Sequence, residues 1–425
     1  MLHRTNHLSP YLRMGMSVQH LLAVFAGTIF PPMILGLSIP AALLLSGLST
    51  LIFHYFTNGK IPFYLSSSFT ILTGMGFIYQ TALGMGIPDD IAKSYTCFGT
   101  LVIGIIYIAA SQLLRLLPRE RITHFFPPAL AGSFIMVLGT DMLFSSTYSF
   151  SHDWLTGSVT IGTIVLCQLF GKRGLRLMSI LLGVGAGILT SCLTGTLHLD
   201  KMLDTEWLAA PFDNRIMAFR ILEAYDPKMM LTTLLTAIPL AFIAMGENVA
   251  DLLTISRTTR VNYLRTMGLA RMVYANGLTN LVASIFGAPQ NTAYTQTTGL
   301  IQLNRICDPH LLRTTALMMI LLAFCPKLTA LIYCLPTAVT GGITATMYGM
   351  VIVVGWRTLR SVLTEHKEPK SLIILACVFG IYLGVKIGCG GIIDLGHIAL
   401  SGTTLGFLVG VLINLLFIKD YEKTA

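Results

Sequence analysis

The sequence predicts an all-α polytopic membrane protein of fourteen transmembrane segments in two inverted seven-span repeats, with short strands in spans 3 and 10. Three observations carry this. Only 11% of residues are charged while 54% are hydrophobic, well below the roughly 25% charge of a soluble domain, so most of the surface must lie in lipid. Apolar stretches recur from about Gly15 to Ile418, and at roughly 20 residues per crossing they number fourteen, two of them interrupted. A Pro/Gly pattern also recurs: Pro127 to Gly132 opens span 5 and Pro336 to Gly341 opens span 12, both P-x-x-x-x-G and 209 residues apart. Seven spans separate the two copies, an odd number, so the second must run through the membrane in the opposite direction.

The segment Met1–Arg13 carries Arg4 and Arg13 but is followed by no small-residue cleavage site, so it reads as the flank of a retained first helix. In span 3, Pro62 to Phe69 is short, polar and β-prone, and Ala288 to Thr295 in span 10 is its counterpart. Each leads into a Gly-containing apolar run long enough for a half-helix. Non-helical backbone at membrane depth persists only when buried in protein or lining a wet cavity. Two such breaks at corresponding positions point to a binding site between them.

The net charge of +9 does not point to nucleic acid, because the basic residues sit in short clusters between spans. If the N-terminus is cytoplasmic, 21 of the 28 Lys and Arg fall on the inner side, and the longest loop, Gly195–Lys228 with six acidic residues, falls outside. Both termini are therefore expected in the cytoplasm. The eight cysteines are scattered, without C-x-x-C pairs or histidine clusters, and are read as small core residues. Gly341-Gly342 and Gly390-Gly391 permit close helix approach, since no phosphate-binding fingerprint surrounds them. No cofactor or metal is expected.

Span 8 holds the most informative pair. Glu247 and Asp251 lie within the apolar stretch Leu231–Ile255, four residues apart and so on one helix face. An acid at mid-membrane costs about 2.5–3.5 kcal/mol on insertion scales, which is tolerated where it faces a polar cavity. Such a pair is expected to bind something.

These residues, taken with Ser17-Val18-Gln19-His20-Leu21 in span 1, Pro62 to Phe69, Gly246 to Asp251, Ala275-Asn276-Gly277-Leu278 and Asn291 to Gly299, resemble the nucleobase-ascorbate transporter family of uracil, xanthine and purine permeases. The family signature opening the second half-helix is matched by Gln296, Gly299 and Arg305, while Thr297 and Asn304 depart from it. The resemblance implies a core domain (15–116, spans 1–4, and 229–334, spans 8–11) and a gate domain (117–196, spans 5–7, and 335–418, spans 12–14). It also implies a substrate site between the two strands, with Glu247 and Gln296 gripping the base, backbone amides near Phe69 and Thr295 completing the set, and a homodimer through the gate domains.

A carboxylate at Glu247 accepts two hydrogen bonds and suits adjacent ring N–H donors, whereas Gln296 offers one acceptor and two donors. Gln296 is equally placed to cap the half-helix. Phe69 and Tyr294 can border a flat heterocycle or serve as core packing. Asp251 could relay the coupling proton or bond a facing span, and His20 could orient Glu247 or be a satisfied core histidine. Asn276 reads as a buried structural position, and Tyr348 of span 12 as gate packing. The expected activity is proton-coupled import of a nucleobase, with H⁺ or Na⁺ as coupling ion, in a bacterial inner membrane. Gln296 favours a purine such as xanthine or urate, with uracil as the alternative. An anion carrier of the same fold is disfavoured by Glu247, and an intramembrane enzyme by the lack of nucleophile, base or metal motifs.

Overall fold

The apolar stretches become long helices broken at two places. The computed structural model describes residues 10–69, 71–116, 128–150, 153–172, 175, 178–196, 205–212, 214–263, 268–294, 297–298, 300–301, 306–366, 369–394 and 399–421. Helices α1 (Pro10–Ile34) and α2 (Ile39–Phe56) meet at Ser38, whose hydroxyl caps α2 by accepting from the Ala41 N–H at 3.2 Å. The chain then leaves helical geometry for β1 (Leu65–Ser67) before α3 (Leu72–Gly84) and α4 (Asp89–Leu116). Next come α5 (Pro128–Phe150), α6 (Trp154–Phe170) and α7 (Ser179–Leu193).

Helix α8 (Pro227–Thr259) starts where the sequence supplies a cap, Asp226, followed by a proline whose missing N–H costs nothing in a first turn. Helix α9 (Leu269–Ile285) leads to the second break, β2 (Asn291–Ala293). The chain continues through α10 (Pro309–Ala323), the short α11 (Pro326–Tyr333), α12 (Thr337–His366) and α13 (Pro369–Gly388). A hairpin, β3 (Ile392–Asp394) with β4 (Ala399–Ser401), precedes α14 (Gly402–Tyr421).

The helices pack as two groups. Helices α1–α4 and α8–α10 surround β1 and β2, with α4 lying along α9 and α2 along α10. In the other group α5 lies along α12, α6 along α7, and α13 along α14, while α6 also meets α12 and α5 meets α13. Lipid tails are as apolar as leucine, so helix association in a bilayer depends on close backbone approach. Glycines supply it at both main crossings. A Cβ on Gly132 would stand 2.9 Å from the Gly355 carbonyl oxygen, and one on Gly355 2.8 Å from that of Gly132. Gly104 and Gly277 approach each other's carbonyls in the same reciprocal way, at 3.0 Å. An ion pair adds to the α5–α13 contact, with Lys386 Nζ 2.6 Å from Asp141 Oδ1 and the Tyr382 hydroxyl donating to the same oxygen at 3.1 Å.

Among the described residues, five helices are long and apolar enough to cross a bilayer by themselves: α1, α2, α4, α8 through Val249, and α13 from Ser371. Helices α6, α7 and α10 are apolar but have only 17, 15 and 15 residues, or about 22–26 Å at 1.5 Å per residue. Leu166, Leu169, Phe170, Leu189 and Leu193 on α6 and α7, and Leu372, Leu383, Ile387, Leu412 and Leu416 on α13 and α14, are exposed, as a lipid-facing surface requires.

The glycine contacts make a stability prediction. Gly355→Val should destabilise the purified protein by about 1–3 kcal/mol through overpacking against backbone that cannot yield, lowering its melting temperature in detergent. Gly349→Ala, six residues away on the same helix with nothing within 4 Å of its Cβ position, should leave it unchanged.

Candidate functional site

The two breaks find each other. β1 and β2 pair antiparallel with Leu65 opposite Ala293, Ser66 opposite Thr292 and Ser67 opposite Asn291, and all six residues are buried. Two further bonds extend the pairing: the Ser68 N–H donates to the Gln290 carbonyl at 2.8 Å and the Tyr294 N–H to the Tyr64 carbonyl at 2.9 Å. A two-stranded ladder leaves outward backbone groups that bury at a cost unless paired. Small polar side chains from the surrounding helices pair them. Thr50 accepts from the Leu65 N–H at 2.9 Å, Ser46 donates to the Leu65 carbonyl at 2.7 Å, His54 Nε2 lies 2.9 Å from the Phe63 carbonyl, and Asn280 Oδ1 accepts from the Asn291 N–H at 2.8 Å. On the α1 side, Ser66 and Thr28 share a hydroxyl bond of 2.8 Å and Ser67 donates to the Thr28 carbonyl at 3.1 Å.

Glu247 and Asp251 lie one turn apart on α8, both partly buried. The Glu247 carboxylate stands within electrostatic reach of the Tyr107 and Tyr294 hydroxyls. Its neighbour Asn248, about 100° round the helix, serves as a junction. The Asn248 amide donates to the Tyr107 hydroxyl at 3.1 Å, and its oxygen accepts from Asn276 Nδ2 at 3.0 Å and from the Thr292 hydroxyl at 3.1 Å. One side chain thus ties α8 to α4, α9 and β2. Gln290, fully buried, sits with its side chain beside the Tyr107 hydroxyl.

Phe69 is half-buried at the end of the β1 segment and packs against three separate hydrophobic clusters, where the two helix groups meet. Tyr294 occupies the matching place after β2. It is buried, and its ring is admitted only because α1 has no side chain at Gly27, where a Cβ would fall 1.5 Å from the Tyr294 hydroxyl oxygen. Both positions turn strand into helix in the same way, the Leu72 N–H donating to the Phe69 carbonyl at 3.2 Å and the Thr297 N–H to the Tyr294 carbonyl at 3.1 Å. No side chain caps α3. Its N-terminus therefore offers N–H groups and the positive end of a helix dipole to whatever lies before it.

Thr295 and Gln296, expected to complete the site, lie outside the described residues. Tyr348 of α12 is buried in the main cluster, consistent with packing. His20 is buried, and its Nδ1 has no hydrogen-bond partner among the described residues. Its helix face also carries contacts to α10. Ser17, three residues earlier on that face, donates to the Leu311 carbonyl at 3.2 Å, and Thr315 donates to the Ser17 carbonyl at 2.9 Å, so this side of α1 is docked on α10.

Asn276 fits its reading as a buried structural group. Asn248, Asn280 and Tyr107 as the supports of the strands are not recognised from the sequence, although each is a polar group in an apolar run. Asn248→Leu should leave Asn276 and Thr292 short of a partner, at about 1–3 kcal/mol per orphaned buried group. A fall in melting temperature of the purified protein is the expected result.

Comparison with known proteins agrees with this geometry. Residues 13–388 match the xanthine/uracil permease model, described as a permease family. The chain is 28% identical over 432 residues to the probable uracil permease of Haemophilus influenzae, covering 98% of each, and 27% identical over 434 residues to the uracil permease of Bacillus subtilis, covering 98% of this chain and 95% of that one. Its fold is similar to the transmembrane domain of a cyanobacterium bicarbonate transporter, BicA, with a TM-score of 0.65 at 12% identity over 97% of this chain and 99% of that one. A multi-pass helical membrane protein, built around two paired chain breaks with an acid-bearing helix beside them, the chain belongs to the xanthine/uracil permease family and is a nucleobase transporter, not an enzyme.

Proposed function

We propose that the protein is a proton-coupled uracil symporter working by alternating access. The packing supports fourteen spans in two inverted repeats. If spans 1–7 correspond to spans 8–14, the α4–α9 contact corresponds to α10–α2, α6–α7 to α13–α14, and α6–α12 to α13–α5, and every one of these contacts occurs. The elements that would correspond to one another, β1 with β2 and α5 with α12, lie side by side, as elements next to a pseudo-twofold axis in the membrane plane do. The core domain (15–116 and 229–334) would carry the site, and the gate domain (117–196 and 335–418) would rock against it. Charge asymmetry supports cytoplasmic termini and an inner-membrane location. A homodimer through the gate domains follows from the family resemblance.

The observation that carries the reading is the uncapped start of α3, beside a strand pair with Glu247 alongside. Uracil presents two ring N–H donors and two carbonyl acceptors on a flat ring. Glu247 would accept from the N–H groups, backbone N–H groups near Phe69 and Thr295 would donate to the carbonyls, Gln296 would pair with a carbonyl and an N–H together, and Phe69 and Tyr294 would border the ring. Asp251 would relay the proton, with Glu247 as the group whose charge the bound substrate senses. His20 would orient Glu247 or serve as a core histidine.

The named relatives support uracil over the purine that Gln296 alone favours. Purine import remains the second reading, on the strength of that glutamine.

Uptake of labelled uracil, xanthine and urate into cells expressing the chain, with and without a protonophore, separates these. Saturable uracil uptake that collapses with the proton gradient is expected. Uptake of xanthine or urate alone would replace uracil with the second reading. Glu247→Gln removes charge-assisted hydrogen bonds of about 1.5–3 kcal/mol and should lower uracil affinity roughly 10–100-fold. Asp251→Asn should retain exchange of labelled for unlabelled uracil while losing accumulation driven by an inward proton gradient.

A further inference from the structure

Outside the substrate site, the ends of α2, α4 and α9 enclose a cavity of about 360 Å³ lined by Tyr55, Phe56, Asn58, Arg115, Arg271 and Tyr274. Two of its six lining residues are arginines, and none of them belongs to the strand site. Phe56 meets the edge of the Tyr274 ring at 5.7 Å between centroids, and the Arg115 guanidinium lies over the face of Tyr274, 6.0 Å from its centre. Stacking occupies the flat face of a guanidinium and leaves the N–H donors on its rim available.

Arg115 is at home where it is, in the last turn of α4, since the C-terminal end of a helix dipole favours a cation. Arg271 is not. It occupies the third position of α9, where the dipole end is positive, no acid lies in the first turn, and the cap residue Gly268 offers no side-chain bond. Among the described residues neither guanidinium is paired with an acid. Two cations and an uncapped helix start therefore converge on one polar cavity, with no acid paired to either among the described residues. Like charges held together in a folded chain are stabilised by an anion that bridges them.

We propose that this cavity binds the phosphate headgroup of an anionic phospholipid. The choice of lipid over a free anion comes from its setting. Helices α2 and α4 are long enough to span the bilayer, so their ends lie at the membrane surface, and their last turns carry exposed apolar or amphipathic side chains: Tyr55 is 78% exposed, Leu113 56% and Leu116 82%. Amphipathic Tyr55 suits the headgroup level, and the leucines suit the upper acyl chains. A basic pocket between helix ends at that depth fits a diester phosphate whose tails lie along the helices. The inference rests on the chain being a membrane protein and not on the identity of its substrate.

The test uses the full chain purified in detergent, with phosphatidylglycerol, cardiolipin, phosphatidylcholine or inorganic phosphate added. Melting temperature and lipids retained in native mass spectrometry are read for wild type, Arg115→Gln, Arg271→Gln and the double variant, with Lys228→Gln as a charge-matched control. Anionic lipid should raise the wild-type melting temperature and be retained in preference to phosphatidylcholine. Each lost arginine should weaken retention roughly fivefold, while Lys228→Gln leaves it unchanged. Without lipid, Arg271→Gln should be no less stable than wild type, since it removes a cation from the wrong end of a helix. Equal stabilisation by inorganic phosphate would make this a free-anion site, equal retention of phosphatidylcholine a general lipid groove, and undiminished retention by the double variant would place the lipid elsewhere; each overturns the proposal. Should the double variant fail to fold, the single variants give the same comparison. Uracil uptake does not enter these readouts, so loss of the uracil reading leaves the result intact.

Discussion

Pairing of β1 with β2 is the constraint on which the rest of the architecture depends. An extended chain at membrane depth has no water to satisfy its N–H and C=O groups, and each orphaned group costs several kcal/mol in hydrocarbon. A lone three-residue strand could not persist there. Two such strands satisfy each other on one edge only, so the helices around them must supply donors and acceptors for the other. This accounts for Ser46 and Thr50 on α2 and Asn280 on α9, which bond strand backbone, while Thr28 on α1 and Asn248 on α8 hold the side chains of Ser66 and Thr292. The same requirement holds those helices in one unit, because withdrawing any of them would strip the strands of partners.

The other helix group is held by a different physics. Between α5 and α12 the contact is glycine against backbone, at Gly132 and Gly355, and the added polar link is the Lys386–Asp141 pair to α13. Where the two groups meet, by contrast, the structure has Phe69 packed against three clusters and few element-to-element contacts. Interiors satisfied by hydrogen bonds or by interlocked backbone resist sliding, whereas an apolar boundary offers many near-equivalent packings. The chain has thus concentrated its directional bonds inside each group and left a less directional seam between them, a division that would suit the alternating access proposed above.

Much of this was legible in the sequence, for a clear reason. A break in an apolar span is a strong departure from expectation, so Pro62 to Phe69 and Ala288 to Thr295 stand out, and the strands fall inside both stretches at Leu65–Ser67 and Asn291–Ala293. Glu247 stands out because a carboxylate in hydrocarbon is costly. Neutral polar groups are harder to interpret. Asn248 and Asn280 stand out as polar groups in apolar runs, but their role depends on which direction they face relative to strands distant in sequence. The role of His20 is no more legible: its position in the sequence does not give the rotation of α1, which the Ser17–Leu311 and Thr315–Ser17 bonds set against α10. Helix length misleads in the opposite way, since α7 and α10 have only 15 residues each and are recognised as crossings through their neighbours more than through their own hydropathy.

The fold likeness to a bicarbonate transporter and the family membership among nucleobase permeases are compatible once scaffold and site are kept apart. Paired strands leading into half-helices present backbone N–H groups and a positive dipole end, and these suit any ligand that brings oxygen atoms, a small anion or a ring carbonyl alike. What separates the two ligands is the charge opposite. A carboxylate beside those N–H groups repels an anion by several kcal/mol at the low effective dielectric of a closed site, but it complements a neutral ring that offers N–H groups on one edge and carbonyls on another. On the proposed reading, Glu247 on α8, beside Tyr107 and Tyr294, would be such a carboxylate. One acidic side chain on an otherwise permissive scaffold would then be enough to turn an oxyanion cradle into a receptor for an imide.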